Sequence, residues 1–513
     1  MGTQLVWFKR DLRLDDHVPL HQALARGPVL GLYIFEPEVL RAPESDPCHW
    51  AFVLQSLAEL RDAFEARGGR FLVRTGEAVA VLDALHEQTK FDRLWSHEET
   101  GLGVTFERDK RVKRWARSLR LPWTEVAQHG VVRPLPKRAG WASRWNKRMQ
   151  QPAPRAPERI VAPDLSLQTV PLPTLEQLGL SRSAKVGAQP AGSTVGESLV
   201  ISFLRGRGRN YRFSMSSPNA AWEGCSRLSP HLAYGTVSLR RVYQRLEMRR
   251  RTLQETLARG TSERRSVEQF SDSLKAFGER LRWHCHFMQK LESEPAIEFR
   301  NMNPAFDGLR TEDAQRWSAV ECARFEAWTH GRTGFPMVDA CMRCLHETGW
   351  INFRMRAMLV SVLAYDLWLH WRPGAQFLAR QFVDFEPGIH YAQFQMQSGT
   401  TGINSLRIYD PAKQVRDQDP RGAFIRRWVP ELEGVPDEHL PLPHRMGSAE
   451  QHRAGCIIGR DYPAPVVDHA VATAKARRAL ERIRRSAGAR AQSRAVFGKH
   501  GSRRRPADRS WRR

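Results

Sequence analysis

Over the first 130 positions, short dense apolar runs alternate with segments whose apolar residues recur at helical spacing. Gln4–Phe8 (QLVWF) and Val29–Phe35 (VLGLYIF) are uninterrupted runs of strand length, apolar on both faces. Further strands are predicted at 71–73, 93–95 and 123–127. Between them, residues 50–67 set Phe52, Val53, Leu57, Leu60 and Phe64 on one helical face, and Gly68-Gly69 ends that helix. Helices are also predicted at 78–88 and 106–119, and Asp15 or Asp16 is placed to cap one ending near Arg26. Strands alternating with helices predict a parallel sheet covered on both faces. No GxGxxG opens the first helix, which speaks against a Rossmann dinucleotide site.

The pattern changes twice more. Residues 131–195 carry nine prolines and few apolar runs, so they predict a connector crossing the surface. Its start is basic and suits either a polyanion or solvent. Residues 196–470 form a helical domain with predicted helices at 196–205, 238–258, 266–292, 336–347, 352–370 and 374–383. Residues 471–513 form an Arg/Ala-rich tail, helical at first and disordered later. The expected architecture is therefore an α/β domain at 1–130, the connector, an all-helical domain large enough to enclose a ligand, and the tail.

Charge narrows the function. The 513 residues hold 80 Lys and Arg against 55 Asp and Glu, a formal net charge of +25. The tail has fifteen Lys and Arg against two acids, so about half of the excess lies in the body. A basic body favours a polyanion such as nucleic acid; an arginine-rich solvated surface would give the same count. No apolar run approaches the ~18 residues of a membrane span, and the first residues lack a signal-peptide core. A cytoplasmic, non-membrane protein is expected. Seven cysteines, an odd number, do not suggest a disulfide framework. Cys341-x-x-Cys344 lies inside a predicted helix with no second such pair, so core packing is expected and no metal site.

Chemistry concentrates in seven segments: WFKRDLRLDD at 7–16, CSRLSPHLAYG at 225–235, LRWH at 281–284, GRTGFPMVDA at 331–340, TGWINFRMR at 348–356, WRPG at 371–374 and QMQSGT at 395–400. Ser226 and Ser229 open a helical stretch, where hydroxyls either cap the helix or hold a phosphate. Together and in this order, from about residue 4 to 430, the segments resemble the photolyase/cryptochrome flavoproteins. That resemblance implies an α/β domain followed by a helical FAD-binding domain, with FAD as cofactor. It also implies room for an antenna chromophore of folate or deazaflavin type in the α/β domain.

Carried onto this chain, the resemblance assigns FAD contact to Tyr211, Cys225, Ser226, Arg227, Leu228, Ser229, Arg356, Asp384, Phe385, Glu386 and His390. Arg356 and Asp384 match the family's pair beside the flavin ring, where a cation would stabilise negative charge. Glu386 stands where the family usually has Asp. His390 stands at the position that faces flavin N5, commonly Asn, and its charge responds to small shifts. Trp371 matches the middle tryptophan of the photoreduction chain. Phe394 and Ser318 occupy the proximal and distal positions, which leaves Tyr391, Trp350 or Trp368 as alternative donors.

Trp283 matches a tryptophan that stacks on the flipped lesion, with Trp371 and His390 the other expected catalytic residues. Arg280 replaces the usual acid nearby, Met396 replaces a second tryptophan, and Asn352-Phe353 replaces a His-Asn pair. These five, Arg280, Trp283, Asn352, Phe353 and Met396, form the expected DNA-contacting set. The implied activity is a blue-light-driven carbon–carbon lyase, acting as a monomer, that repairs pyrimidine dimers in DNA by electron transfer. The replaced positions also suit a cryptochrome-type photoreceptor with a signalling partner. A flavin-free nucleic-acid-binding protein is the third reading.

Overall fold

The computed structural model describes residues 2–181 and 185–501, so Arg503-Arg504-Arg505 of the tail lie outside the described residues. Five parallel strands, β1 (Gln4–Phe8), β2 (Val29–Phe35), β3 (Arg70–Thr75), β4 (Arg93–His97) and β5 (Trp123–Val126), stand in the order β3-β2-β1-β4-β5. β1 and β2 are buried along their whole length. Val6, Phe8, Tyr33, Phe35 and Phe71 face one layer, containing helix Pro47–Glu65. Leu5, Trp7, Leu30, Leu32 and Leu72 face the other. The continuous apolar runs therefore reflect burial on both faces rather than alternation. The winding direction reverses between β1 and β4, where such sheets open a crevice beyond the strand ends.

The remainder is helical, giving the α/β-then-helical architecture that the sequence predicts. Helices Pro336–Thr348, Phe353–Ser361, Trp371–Gln381 and Pro387–Gln397 share one large core. A second core gathers helices Trp141–Gln150, Ser193–Arg205, Leu239–Arg259 and Arg264–Ser293. Gly388 permits the close crossing of Pro387–Gln397 on Arg264–Ser293, since a Cβ there would lie 2.6 Å from the Met288 Cα.

The first helix is capped by His17, whose Nδ1 accepts from the Leu20 amide at 3.1 Å, and it ends at Leu24. Asp15 and Asp16 instead pair with helix Leu239–Arg259. The connector does not simply cross the surface. Trp141, Trp145 and Met149, spaced four apart, bury one face of a helix in the second core, and Ile160 and Leu178 pack against the α/β domain. The helix predicted at 352–370 stops at Ser361, passes through a π-turn at Val362–Asp366, and reaches Trp368 with φ of +59°. A π-turn relieves the helix ladder by one residue, which period analysis cannot see. The tail is ordered further than expected: His469–Arg485 and Ala487–His500 are helices. They dock through Ala476 and Leu480 on Phe306 and Tyr365, and through His500 Nε2 on Glu294 at 2.6 Å.

The first loop ties the two domains. Asp16, 1% exposed, accepts from Arg240 Nε at 3.0 Å, and Arg240 Nη2 and the Ser238 hydroxyl complete the site. Breaking a buried pair leaves an uncompensated charge, at a cost of about 3–5 kcal/mol. Arg240→Ala is expected to lower unfolding free energy by that amount in urea, whereas Arg245→Ala, at a partly exposed pair, should cost under ~1 kcal/mol.

Candidate flavin site and lesion mouth

The loop 225–229 is built from below by Arg207, whose guanidinium donates to the carbonyls of Glu223 at 2.9 Å, Ser226 at 3.1 Å and Cys225. This brace turns the next residue into the left-handed region: Arg227 has φ of +61°. Its guanidinium carbon then sits 3.7 Å from the ring centre of Trp350 and 4.3 Å from that of Trp222. Burial pushes the Arg227 pKa down to about 10, and its Nη1 is buried with no hydrogen-bond partner. Ser226 Oγ accepts from the Leu228 amide at 3.4 Å and Ser229 Oγ from Trp350 Nε1 at 3.3 Å. Both hydroxyls keep lone pairs and a proton for a ligand. Cys225 is half-buried, with its thiol raised by burial to about 12.

A second wall comes from helix Phe353–Ser361 and the turn before Pro387. Arg356 clamps Asp384 with two parallel bonds of 2.9 and 2.8 Å, and its Nε donates to the Ile351 carbonyl at 2.8 Å. Asp384 is fully covered, while a quarter of the Arg356 side chain remains open. The clamp thus presents a positioned cation to whatever fills the space beside it. Glu386 lies 3.5 Å from Arg10 of the α/β domain. Burial raises its pKa to about 7, and its Oε1 has no partner. Phe385 packs on His390 at 5.1 Å between ring centres and stacks on His49 at 5.9 Å.

His390 Nε2 donates to the Ala375 carbonyl at 2.8 Å. Burial lowers its pKa to about 4, so the ring is neutral at physiological pH and Nδ1 is left as an acceptor. Asn352 is buried. Its amide donates to the carbonyls of Met215 and Ser216 at 3.1 and 3.0 Å, and its Oδ1 is unpartnered.

Above these walls, three of the five residues expected to meet DNA reach the surface together. Trp283 is 43% and Phe353 45% exposed, and Arg280 lies 5.8 Å from the Phe353 ring. Met396 is half-buried and Asn352 is not on this surface. Trp371 is fully buried, with Nε1 donating to Asn301 at 2.8 Å and Tyr391 6.2 Å away between ring centres. Ser318 caps helix Ala319–Thr329 in a capping box with Glu321, and Phe394 packs on His390 at 4.7 Å.

Cys341 and Cys344 are buried in the main core with thiol pKa values raised by burial. Among the described residues, Asp11, His17 and His97 are close enough to share a metal. Their atoms already satisfy one another: His17 Nε2 and His97 Nδ1 lie 2.9 and 2.6 Å from one Asp11 oxygen. A cavity of about 810 Å³, its open mouth included, lies at the sheet's reversal point, where the resemblance implies room for an antenna chromophore but names no lining residue. Arg10, Tyr33, Glu36, Glu44, Trp50 and Arg108 line it. The signal was present, since Arg10 belongs to the quoted first motif and Glu36 follows β2 directly.

The orphaned Arg227 Nη1, Asn352 Oδ1 and Glu386 Oε1, with the quarter-open Arg356, form a polar buried lining that needs a ligand rich in donors and acceptors. Residues 277–482 match the family model for the FAD binding domain of DNA photolyase, and residues 4–138 match that for DNA photolyase. A cryptochrome DASH of Natronomonas pharaonis is 30% identical, over 91% of this chain and 98% of its own. The chain belongs to the photolyase/cryptochrome family. A deoxyribodipyrimidine photo-lyase of Halobacterium salinarum is 28% identical over 94% of this chain and 99% of its own. The crystal structure of a bacterial class III photolyase from Agrobacterium tumefaciens superposes with a TM-score of 0.79, at 26% identity, covering 95% of this chain and 98% of that one. FAD is the cofactor, and the buried polar lining fits it.

Charge-assisted bonds contribute about 1.5–3 kcal/mol each. Arg356→Ala is therefore expected to weaken FAD retention by about tenfold or more, read as the flavin-to-protein absorbance ratio after gel filtration. Arg324→Ala, on the separate helix Ala319–Thr329, should leave the ratio unchanged.

Proposed function

We propose that this protein is a blue-light-driven DNA photolyase that repairs UV-induced pyrimidine dimers. The observation that carries this reading is the exposed rim of Trp283, Phe353 and Arg280 above the flavin lining. Two large aromatic side chains, each nearly half exposed beside a cation, suit two flipped-out adjacent bases and their phosphate. Reduced FAD, when bound, supplies the light-excited electron.

The chain's own residues do the rest. Trp283 and Phe353 offer stacking faces to the lesion, and Met396 adds an apolar wall. Arg280, held against the Phe353 ring, meets the backbone phosphate. Ser226, Arg227, Leu228 and Ser229 hold the cofactor's polar arm, with Cys225 and Tyr211 as neighbours. Arg356, oriented by Asp384, places a fixed cation beside the ring, and His390 stays neutral, so it adds no competing charge. The net charge of +25 favours DNA as the partner. The interdomain cavity is read as the seat of a folate- or deazaflavin-type antenna, because its aromatic and carboxylate lining suits a planar heterocycle.

The second reading, a cryptochrome-type photoreceptor, draws on the replacement of the expected acid and second tryptophan by Arg280 and Met396. Relatives named cryptochrome DASH keep it in play. Blue light with the reduced holoprotein should restore dimer-containing oligonucleotides. Stacking of a base on an aromatic ring contributes about 1–3 kcal/mol, so Trp283→Ala should weaken binding of that oligonucleotide about tenfold or more. Absence of repair of both cyclobutane and (6-4) lesions would remove the repair reading in favour of the photoreceptor.

A further inference from the structure

Trp371 cannot be the end of an electron path in this chain. Its Nε1 donates to the Asn301 amide oxygen at 2.8 Å, which is no base for the proton of an oxidised indole, and the resemblance sets Ser318 and Phe394, neither a useful donor, at the positions onward and inward of it. Its nearest phenol is Tyr391, edge-on at 76° and 6.2 Å between ring centres. Tyr391 is itself fully buried, and its hydroxyl donates to a single group, Glu44 Oε1, in a short hydrogen bond. Glu44 comes from the α/β domain, so the pair crosses the domain boundary. Glu44 is 4% exposed and lines the interdomain cavity. Beside the pair stand Glu298, whose carboxyl burial raises to about 7, and the cation of Arg372.

A buried phenol cannot give up an electron and keep its proton cheaply, because the cation so formed sits in a low-dielectric interior. Tyr391 has a remedy that Trp371 lacks: a carboxylate already hydrogen-bonded to its oxygen. We propose that Tyr391 is the terminal electron donor in flavin photoreduction and that Glu44 takes its proton. The inference rests on the flavin photochemistry proposed above. Trp371 loses one electron to the photoexcited oxidised flavin. Tyr391 then returns one electron to Trp371 as its O–H bond breaks and the proton forms a new O–H bond on Glu44. In sum, Tyr391 is oxidised by one electron to a neutral radical, the flavin is reduced by one, Trp371 is restored, and Glu44 is protonated. The cavity that Glu44 lines gives that proton a way out to water, and an occupant of the cavity would sit against the acceptor. Burial and the Glu44 charge hold the resting phenol protonated, so the donor is ready before light.

The test uses full-length holoprotein with oxidised flavin, checked by its visible spectrum, and flash excitation read by transient absorption and by EPR with ring-deuterated tyrosine. A neutral tyrosyl radical is expected to appear as the tryptophan cation decays, more slowly in D₂O, with its hyperfine pattern narrowed by the label. Tyr391→Phe should abolish that signal and cut the yield of lasting photoreduction by about tenfold or more. Glu44→Gln keeps a hydrogen-bond acceptor but lacks the base, and should slow tyrosyl formation about tenfold. A flavin-bearing wild type with no tyrosyl signal, or both variants with wild-type kinetics, would overturn the proposal and leave the flavin assignment standing. A colourless protein would overturn both.

Discussion

The loop between β1 and the first helix carries the charges that join the α/β domain to the helical one. It enters the helical domain as a row of charges, and each finds a fixed partner. Arg10 donates from Nε to the Ala233 carbonyl at 2.8 Å and from Nη2 to the Phe385 carbonyl at 2.7 Å. The Leu12 amide donates to Tyr234 at 3.1 Å, and Arg13 Nη1 to Gly235 at 2.9 Å. Gly235 makes this approach possible, since a Cβ there would lie 2.3 Å from the Arg10 carbonyl oxygen and its φ is +66°. Buried charges with partners on both domains resist separation, because parting them would strand each one away from water.

That junction shapes both compartments. Asp384, which orients Arg356, is the neighbour of Phe385, whose carbonyl Arg10 holds. Glu386, the next residue, is paired with the same arginine. The buried polar lining that fits FAD is therefore set partly from the α/β domain. The interdomain cavity shares Arg10 and Phe385 as wall residues, and Glu44 reaches from that cavity to Tyr391. One cationic side chain thus links the sheet's reversal point to the wall of the cofactor site.

Much of this was legible in the order of residues, and the failures have physical causes. Strand positions followed from apolar runs because both faces of the sheet are covered. Trp141, Trp145 and Met149 went unread as a helix because prolines nearby dominated the pattern of 131–195, although the four-residue spacing was there. The π-turn after Ser361 and the left-handed Trp368 depend on tertiary packing and leave no periodic trace. Among site residues, the Arg356–Asp384 pair was recoverable only through the resemblance, since 28 positions separate its members. The burial of Asn352 and the exposure of Phe353, adjacent in sequence, depend on where a helix starts. Glu44 and Trp222 carried no motif at all. Their roles arise only when distant segments meet.

The Arg10 junction holds in place the polar wall that fits FAD. Equilibrium FAD binding to the apo-form of Arg10→Ala, followed by quenching of flavin fluorescence, tests it most directly. Affinity is expected to be weakened by about tenfold or more, with a folded protein by circular dichroism. Wild-type affinity in that variant would contradict it.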